Sequence, residues 1–357
     1  MKIGIITQHN HTNYGNRLQN LAIDQIVKDL GHTPISLVVS PSKFLICLNK
    51  IAKVFRIFPL SRRMNNFMRF TKEKIETRDI DNFSIKKLTE TYGQNGSCPL
   101  DCAMVGSDQT WNPSFIINPN KVFARFVPEE KRMSFSTSLG VSKLPEKCKP
   151  VFAKALSEIP HISVREESGA KIVEELTGNP CTVLLDPTLI LSKKKWEELA
   201  THSPVEVPKQ KYIFSYFLAY NRTYRKYVKN LAKKNNLKIV NINKYTSKYF
   251  YSDPLAFVKL IQNAELVCTN SFHGHAFSVC LEKPFVSFPV VKSTNSRTKT
   301  LLNLTGIGDS RNYQTISDEN LFSLDYSSVT KNVESERHKA FSFLTSSFNK
   351  IKGENND

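Results

Sequence analysis

The cysteines of this 357-residue chain do not form the pattern that a disulfide framework or a zinc site requires. There are seven of them, with neither a CxxC pair nor a Cys/His cluster of zinc spacing, and only Cys98 and Cys102 form a CxxxC pair. We therefore expect reduced thiols, as in a cytoplasmic protein. His9 and His11 stand two residues apart in a loop without a nearby carboxylate, so we expect no metal ion.

Long apolar runs are missing as well. No segment approaches the roughly 18 residues of a membrane-spanning helix. The N-terminus enters a strand at once, with Lys2-Ile3-Gly4-Ile5-Ile6 where a signal peptide would begin. We expect neither kind of segment. The hydrophobic content of 40% is enough for real cores, and the length favours two domains.

Acidic residues are scarce in the sequence. The chain has 50 Lys and Arg against 32 Asp and Glu, which gives a formal net charge of +18. Such an excess favours anionic partners, namely phosphorylated metabolites, nucleic acid or acidic lipid. The signatures of a helix-turn-helix, a zinc finger and an RNA-recognition fold are absent, so nucleic acid is not an expected partner.

Residues 43–78 carry a large part of this excess, with ten Lys or Arg and two Glu. Within them, residues 44–58 place five apolar side chains on one helical stripe: Phe44, Leu48, Ile51, Phe55 and Phe58. A basic amphipathic helix of this kind can lie as a peripheral element on the anionic inner face of a cell membrane. The same pattern fits a surface helix that packs its stripe on its own domain, and both interpretations remain open.

The opening of the chain predicts a parallel α/β sheet. A strand from Ile3 to Thr7 leads through a loop into a helix that ends at Gly31, and a second strand runs from Ile35 to Val39. This order of elements favours right-handed parallel crossovers. A second unit of the same kind begins at Tyr212, after a polar linker near residues 197–210.

We therefore expect an α/β fold with two Rossmann-like domains. The first domain is expected to span residues 1–200 and to contain the basic insertion 43–78. The second is expected to span residues 211–330. A helix within residues 331–357 is expected to cross back to the first domain.

The most informative local sequence is Leu266-Val-Cys-Thr-Asn-Ser-Phe-His273-Gly-His275. An apolar run typical of a buried strand breaks at Thr269-Asn270-Ser271 and resumes with helical spacing at Phe277 and Leu281. In open α/β sheets, ligands lie beyond the carboxyl ends of strands, against helix N-termini whose free N–H groups favour anions. A histidine there can move a proton at neutral pH. A turn with a satisfied imidazole explains the same pattern.

Seven short motifs follow one another along the chain: Asn13-Tyr14-Gly15 with Leu18-Gln19, Val105-Gly106-Ser107-Asp108-Gln109-Thr110-Trp111-Asn112, Ser163-Val164-Arg165-Glu166, Leu185-Asp186-Pro187-Thr188, Asn270-Ser271-Phe272-His273-Gly274, Lys283-Pro284-Phe285-Val286 and Asn295-Ser296-Arg297. In this order and spacing they resemble the polysaccharide pyruvyl transferase family, from about residue 3 to about residue 311.

The resemblance implies two Rossmann-like domains that face a cleft, in a GT-B-like architecture. It implies phosphoenolpyruvate as the donor substrate, with no further cofactor. The acceptor would be a sugar or a lipid-linked oligosaccharide, bound by the first domain, that receives pyruvate as a ketal in a surface polysaccharide. The chain departs from the family pattern at His275, where a small residue is common. It also departs after Phe285-Val286, where the stretch is short and lacks glycine.

Phosphoenolpyruvate carries a phosphate and a carboxylate, and binding both needs several cations or N–H donors. We expect Arg165, Arg297 and Lys292 to bind these two groups. For Arg165 the alternative is an ion pair with Glu166 or Glu167. For Arg297 the alternative is an ordinary position on a helix surface.

Ketal formation protonates C3 of the enol and requires a base for the attacking hydroxyl. His273 is expected to serve as the acid, or as acid and then base. Asn270, Ser271 and Gly274 of the same turn are expected to contact the substrate. Asp108 is expected to orient an acceptor hydroxyl or to act as base, and capping of its own turn is the alternative.

Further contacts with the acceptor are expected from Ser107, from Trp111 stacked on a sugar face, and from the loop Asn13-Tyr14-Gly15. A core position for Trp111 and ordinary turn chemistry for the loop are the alternatives. Asp186-Pro187 is expected to end a strand, without a catalytic role.

Two other functions fit the same sequence. A GT-B-like glycosyltransferase that uses a nucleotide sugar would share the architecture, and a basic site would suit its pyrophosphate. A non-catalytic peripheral protein would bind anionic lipid or another polyanion through residues 43–78. Thermal stabilisation by phosphoenolpyruvate or by a nucleotide separates the two enzymes. Liposome binding that survives the loss of His273 and fails at high salt marks the third function.

Overall fold

The computed structural model describes residues 1–9, 12–39, 58–80, 84–219, 221–290 and 296–353. The chain divides into two compact units. Unit 1 comprises Met1–Ser42, Thr71–Ile190 and Glu334–Asp357, and unit 2 comprises Lys43–Phe70 and Leu191–Val333. Lys292, His11 and most of the predicted amphipathic helix, residues 44–57, lie outside the described residues.

The strands of unit 1 are β1 (Lys2–Ile6), β2 (Thr33–Val39), β3 (Thr77–Ile80), β4 (Cys102–Val105), β5 (Arg132–Ser134), β6 (Ser163–Val164) and β7 (Thr182–Val183). The first five form one parallel sheet in the order β3-β2-β1-β4-β5. The pair β6-β7 is also parallel, and single bridges at Met133–His161 and Thr137–Val164 join the chain segments around β5 and β6. This is the strand order of a Rossmann fold.

The strand order of unit 1 reverses between β1 and β4. Because both strands are parallel, the loops that follow them meet at the carboxyl edge of the sheet, where ligands of this fold bind. The Gly106 amide donates to the carbonyl of Ile6 at 2.8 Å. The Thr7 hydroxyl donates to the carbonyl of Ser107 at 2.8 Å, which ties the two loops together.

The described helices are α1 (Tyr14–Asp29), α2 (Phe58–Lys74), α3 (Ile85–Tyr92), α4 (Pro119–Val122), α5 (Lys149–Ser157), α6 (Glu167–Thr177), α7 (Pro187–Ile190), α8 (Lys193–Thr201), α9 (Arg222–Lys234), α10 (Pro254–Gln262), α11 (Phe272–Cys280), α12 (Ser296–Leu304) and α13 (Ser327–Lys352). Helix α1 starts at the reversal point because Asn13 caps it, with the side-chain oxygen accepting from the Asn16 amide at 3.2 Å. It is followed by Gly31 in the left-handed conformation, at φ 77°.

Unit 2 repeats the same architecture on a smaller scale. Its strands are β8 (Tyr212–Tyr216), β9 (Lys238–Val240), β10 (Leu266–Thr269) and β11 (Phe285–Ser287). They form a parallel sheet in the order β11-β10-β8-β9. The order reverses between β8 and β10, so the predicted turn after β10 lies at the reversal point of this sheet. Both units are therefore Rossmann-like, as the sequence predicts.

Helix α2, from the basic segment, differs from its predicted position as an insertion in the first domain. Up to Phe70 it groups with unit 2. Arg63 is buried there and donates to the carbonyl of Ile242 at 3.3 Å and to the side chain of Asn243 at 3.0 Å. Its guanidinium also lies 4.7 Å from the ring centre of Phe250. Arg63 of the basic segment therefore contacts groups of the protein itself, because this part of α2 packs on unit 2.

The boundary between the units also differs from the predicted linker at 197–210. The units separate at Ile190, and the stretch that follows contains α8, which buries Trp196 and Leu199. The residues from Glu334 onward group with unit 1, where Arg337 donates to the carbonyl of Leu189 at 2.8 Å. None of the described helices is long and apolar enough to cross a bilayer.

Candidate active site

In unit 1, Arg165 directly follows β6 and is 2% exposed. Its guanidinium forms ion pairs with Asp186 and with Asp108, the latter at 3.4 Å, and donates to the Ser107 hydroxyl at 3.3 Å. Burial acts to lower the pKa of Arg165, but the surrounding carboxylates outweigh it and the pKa is raised. Arg165 is thus held by two aspartates that the sequence did not indicate as its partners. The expected alternative had been Glu166 or Glu167.

Asp186, for which the sequence suggested only the end of a strand, is a central member of this cluster. It is fully buried, and one carboxylate oxygen accepts from the Ser107 hydroxyl at 2.8 Å. The other oxygen accepts from the amide and the hydroxyl of Thr188, at 3.0 and 2.6 Å, at the start of α7. Asp186 therefore joins the loop after β4, the end of β6 and α7.

Asp108 lies at the reversal point of the first sheet in a strained backbone conformation, with φ at 66°. Three contacts hold it there besides Arg165. Its carboxylate accepts from the Gln109 amide at 2.9 Å and is in contact with the side-chain amide of Asn16, on the first turn of α1. Its carbonyl accepts from the Ser138 amide at 2.9 Å. A strained residue that its neighbours fix in this way is typical of a functional site.

Asn16 and Glu166 also belong to this cluster, although the sequence indicated neither of them as a site residue. The carboxylate of Glu166 accepts from the Ser138 hydroxyl at 3.0 Å and from the amides of Leu139 and Gly140 at 2.8 and 2.9 Å. It therefore shapes the loop that supports Asp108. Glu166 lay within a quoted motif and Asn16 lay next to one, but their partners are distant in sequence.

Trp111 belongs to the core of unit 1. It is fully buried, stacks on Phe123 with 5.6 Å between ring centres, and donates its indole N–H to the carbonyl of Val122 at 3.0 Å. These contacts argue against the predicted stacking on a sugar. In the first loop, Asn13 serves as the cap of α1, and Tyr14 and Gly15 are buried within that helix. The turn chemistry offered as the alternative accounts for these three residues.

Arg17, one turn into α1, is 2% exposed. Burial lowers the pKa of Arg17 to about 9, well below the ordinary value of a guanidinium. Among the described residues, its Nε and Nη1 have no hydrogen-bond partner. Helical side chains lean toward the N-terminus of their helix, so this cation lies near the end of α1 that faces the reversal point. An anion bound there would compensate the cost of burying the charge.

In unit 2, the turn after β10 is tied across the reversal point of the second sheet. The Thr269 hydroxyl donates to the carbonyl of Tyr216 at 2.7 Å and accepts from the Ser271 amide at 3.0 Å. The side-chain oxygen of Asn270 accepts from the Leu218 amide at 2.9 Å. A Cβ on Gly274 would stand 2.3 Å from the Thr269 hydroxyl, so glycine lets α11 approach β10. Asn270, Ser271 and Gly274 thus build the turn.

His273 is the second residue of α11 and is 7% exposed. Its ring meets that of Phe272 edge to face, with 5.2 Å between centres. The guanidinium of Arg297, near the start of α12, lies 6.0 Å from the ring centre of the same Phe272. Phe272 therefore has an imidazole and a guanidinium as neighbours at the N-terminus of a helix. Of the two expected arginines, Arg297 is the one that shares a unit with His273.

His275, the departure from the family pattern, points into the core of unit 2. It is fully buried, and its Nε2 lies 2.9 Å from the Ser287 hydroxyl at the end of β11. Burial lowers the pKa of His275 from 6.5 to about 4, with a smaller opposing effect of a hydrogen bond at Ser271. The imidazole is therefore neutral at physiological pH and joins α11 to β11.

The described part of the chain holds no group of three His, Cys, Asp or Glu side chains that could bind a metal ion. A family model described as polysaccharide pyruvyl transferase matches residues 13–290, which contain Asp108, Arg165, Asp186 and His273. The chain belongs to the polysaccharide pyruvyl transferase family. A comparison of the sequence of this pyruvyl transferase family member with curated proteins found no match.

Several solved structures are similar to this pyruvyl transferase family member at low sequence identity. UDP-GlcNAc 2-epimerase from Neisseria meningitidis, bound to UDP-GlcNAc, has a TM-score of 0.50 at 13% identity, over 98% of this chain and 94% of its own. Anabaena Alr3699/HepE in complex with UDP-glucose reaches 0.48 at 10% identity, over 97% and 100%. MurG from Acinetobacter baumannii reaches 0.45 at 10% identity, over 96% and 99%. The fold is GT-B-like, with two Rossmann-like units.

Proposed function

We propose that this protein transfers pyruvate from phosphoenolpyruvate to a sugar as a ketal, during synthesis of a surface polysaccharide. Membership of the family supports the transfer of pyruvate. The observation that carries the donor assignment is the position of His273 at the N-terminus of α11, where the ring of Phe272 neighbours both His273 and Arg297. A helix N-terminus and a guanidinium together suit an anion with both phosphate and carboxylate groups.

The proposed reaction starts with a proton transfer from the His273 imidazolium to C3 of phosphoenolpyruvate, which becomes a methyl group. C2 is then electrophilic, and a sugar hydroxyl attacks it. The bond between C2 and the phosphate oxygen breaks, and a second hydroxyl closes the ketal. Of the two hydroxyl protons, one restores the imidazolium and the other leaves with inorganic phosphate. Proton transfer by a positioned side chain contributes about 10²–10⁴-fold to the rate.

Arg165 is proposed to position Asp108, because its guanidinium already pairs with Asp108 and Asp186. Direct binding of phosphoenolpyruvate by Arg165, the role expected from the sequence, would require it to exchange one of these carboxylates for the substrate. Asp108 is proposed to orient an acceptor hydroxyl, since its carboxylate is fixed at the reversal point of the first sheet.

The test is phosphate release from phosphoenolpyruvate with a panel of free, nucleotide-linked and lipid-linked sugars. We expect acceptor-dependent release by the wild type, a fall of kcat by about 10²–10⁴-fold in His273→Gln, and a raised KM for phosphoenolpyruvate in Arg297→Gln. His202→Gln is the matched control, since His202 is an exposed histidine of the same unit.

Two results would contradict the proposal. One is release that His273→Gln leaves unchanged. The other is no release with any acceptor, together with thermal stabilisation by a nucleotide sugar and none by phosphoenolpyruvate. The second result would indicate a glycosyltransferase with the same fold.

A further inference from the structure

A basic groove runs along α9 in unit 2. It has a volume of about 620 Å³, and helix α9, strands β8 and β9 and the loop after β9 line it. Among the described residues that line it there is no carboxylate, and five are cationic: Arg222, Arg225, Lys226, Lys229 and Lys244. The groove is separate from the contacts of His273 described above, and no role of the proposed mechanism uses its residues.

The cations of α9 stand on one face of the helix. Arg222, Arg225, Lys226 and Lys229 follow the i, i+3, i+4, i+7 spacing, which places them along one stripe of about 10 Å. The opposite face, including Tyr224, is buried against the sheet. The whole helix contains no acidic residue. Like charges at this spacing repel each other, so the stripe has a cost to folding that a bound anion would relieve.

Four of the five groove cations form no ion pair within the described part of the protein. Arg222, Lys226, Lys229 and Lys244 take part in none of its ion pairs. By contrast, Lys234 lies outside the groove on the same helix and contacts Asp318 at 2.5 Å. These four cations line one concave surface together, which favours a discrete anionic ligand over a flat charged surface.

The groove lies at the ligand-binding edge of the second sheet. Ser215 is near the carboxyl end of β8, and Asn241 directly follows β9. A smaller recess of about 280 Å³, formed in part by Leu218, shares Arg225 and Asn241 with the groove. Since the Leu218 amide donates to Asn270, the recess adjoins the turn that carries His273. A ligand in the groove would extend toward the proposed donor site of the same unit.

The size and charge of the groove select the kind of anion. A single phosphate is too small for a stripe of about 10 Å, and the volume is in the range of about 300–1,000 Å³ that holds an organic ligand. Lys and Arg are the side chains that bind phosphates. We propose that this groove binds a diphosphate group carried by the sugar acceptor. The identity of that ligand as the acceptor rests on the proposed function; the diphosphate chemistry rests on the groove.

Binding of inorganic pyrophosphate to the full chain, measured by calorimetry at low salt, tests the groove without any turnover. The variant Lys226→Gln/Lys229→Gln removes two groove cations. The matched control Lys194→Gln/Lys209→Gln removes two exposed cations of the same unit that are not in the groove. We expect the groove variant to weaken pyrophosphate binding at least about tenfold, and the control to bind as the wild type does.

Equal affinity of the groove variant and the control would overturn the proposal, as would wild-type binding of inorganic phosphate as tight as that of pyrophosphate. Uridine diphosphate and farnesyl diphosphate represent the two sources of the group, a nucleotide and a lipid carrier. If uridine diphosphate or farnesyl diphosphate binds more tightly than pyrophosphate, and the groove variant loses this binding, the result supports the groove as the site. The tighter ligand then identifies the source of the diphosphate group.

Kinetics separate this inference from the proposed function. With a diphosphate-linked acceptor, we expect the groove variant to raise the KM for the acceptor and to keep kcat, whereas His273→Gln lowers kcat. An unchanged KM in the groove variant would refute the assignment to the acceptor. If no pyruvyl transfer is found but pyrophosphate binding still depends on Lys226 and Lys229, the proposed function fails and the diphosphate site stands.

Discussion

His275 is a titratable residue that the fold keeps uncharged. Its folded pKa is about 4, whereas the ordinary value is 6.5. Above pH 6.5 neither state holds the proton, so the full stability is present. As the pH falls from 6.5 toward 4, the unfolded chain takes up a proton that the folded protein does not. The free energy of unfolding therefore decreases with falling pH across this window, by roughly 3 kcal/mol in total.

The variant His275→Gln tests this effect. Glutamine can keep a hydrogen bond to the Ser287 hydroxyl but does not titrate, so urea denaturation between pH 4 and 6.5 should show a flatter dependence on pH than in the wild type. His202→Gln is the control, because it replaces an exposed histidine of the same unit. An identical dependence in all three proteins would mean that another group causes it.

Arg165, unlike His275, keeps its charge in the interior, because Asp108 and Asp186 compensate it. Arg165→Met would leave Asp108 and Asp186 as buried carboxylates without their cation, and removal of one partner of such a pair costs about 3–5 kcal/mol. We expect the free energy of unfolding in urea to fall by this amount. Lys86→Met, which removes an exposed ion pair with Glu90, should leave the unfolding midpoint unchanged. Similar midpoints for the two variants would show that the cluster is not an important source of stability.

His273 and Arg165 show what the sequence could reveal about the site. The position of His273 at a helix start could be predicted because a strand, a turn and helical spacing follow each other within a few residues. The partners of Arg165 could not be predicted, because Asp108 and Asp186 lie 57 and 21 residues away in the chain. Only packing of the loops after β4 and β6 brings these three side chains together.

At the scale of elements, the contact between α11 and β10 depends on one glycine. In Gly274→Ala the new Cβ would stand 2.3 Å from the Thr269 hydroxyl, which is fixed by bonds to Tyr216 and Ser271. We expect a loss of about 1–3 kcal/mol, as for other overpacked sites. To relieve this contact α11 would have to move away from β10, which would also displace the helix start that carries His273. Acceptor-dependent phosphate release should therefore fall as well.

Gly169→Ala provides a matched comparison within α6. There the new Cβ would meet the flexible end of Leu139 at 3.1 Å, which can move aside. Alanine also gains up to about 1 kcal/mol over glycine in a helix. The free energy of unfolding of the Gly169→Ala variant should stay within about 1 kcal/mol of that of the wild type. A loss as large as that of Gly274→Ala would show that the contact distance is not what matters.

Among the elements, the strands were easier to predict than the partners of the helices. Apolar runs such as Cys102–Val105 identify buried parallel strands directly, because both faces of such a sheet are covered. The composition of the basic segment does not reveal the surface on which its described helix, α2, packs. For this reason Arg63 and its contacts with unit 2 could not be derived from the sequence.

At the scale of the whole molecule, unit 1 is discontinuous in the chain. Its last part, Glu334–Asp357, follows all of unit 2. From α13 this part contributes the buried Leu344 and Phe348, and the ring of Phe348 packs edge to face on His32 with 4.8 Å between centres. Two buried side chains of this size stabilise a domain by roughly 3–6 kcal/mol together. Unit 1 is therefore expected to depend on the last helix.

Truncation after Val333 should destabilise unit 1 and leave unit 2 folded. We expect thermal unfolding to change from one transition to two, with hydrogen exchange locating the early transition in residues 1–39 and 84–190. Truncation after Gly353 is the control and should unfold as the full chain does. Equal protection of unit 1 in both truncated chains would show that α13 contributes little to it.

The discontinuity has a consequence for synthesis. The ribosome must add Leu191–Val333, 143 residues, between the first two parts of unit 1 and its last helix. At about 5–20 residues per second this takes roughly 7–29 s. During that time the apolar surface that later receives Leu344 and Phe348 is uncovered on the nascent chain. The need for a chaperone is therefore expected to be greatest for the half of the protein that is translated first.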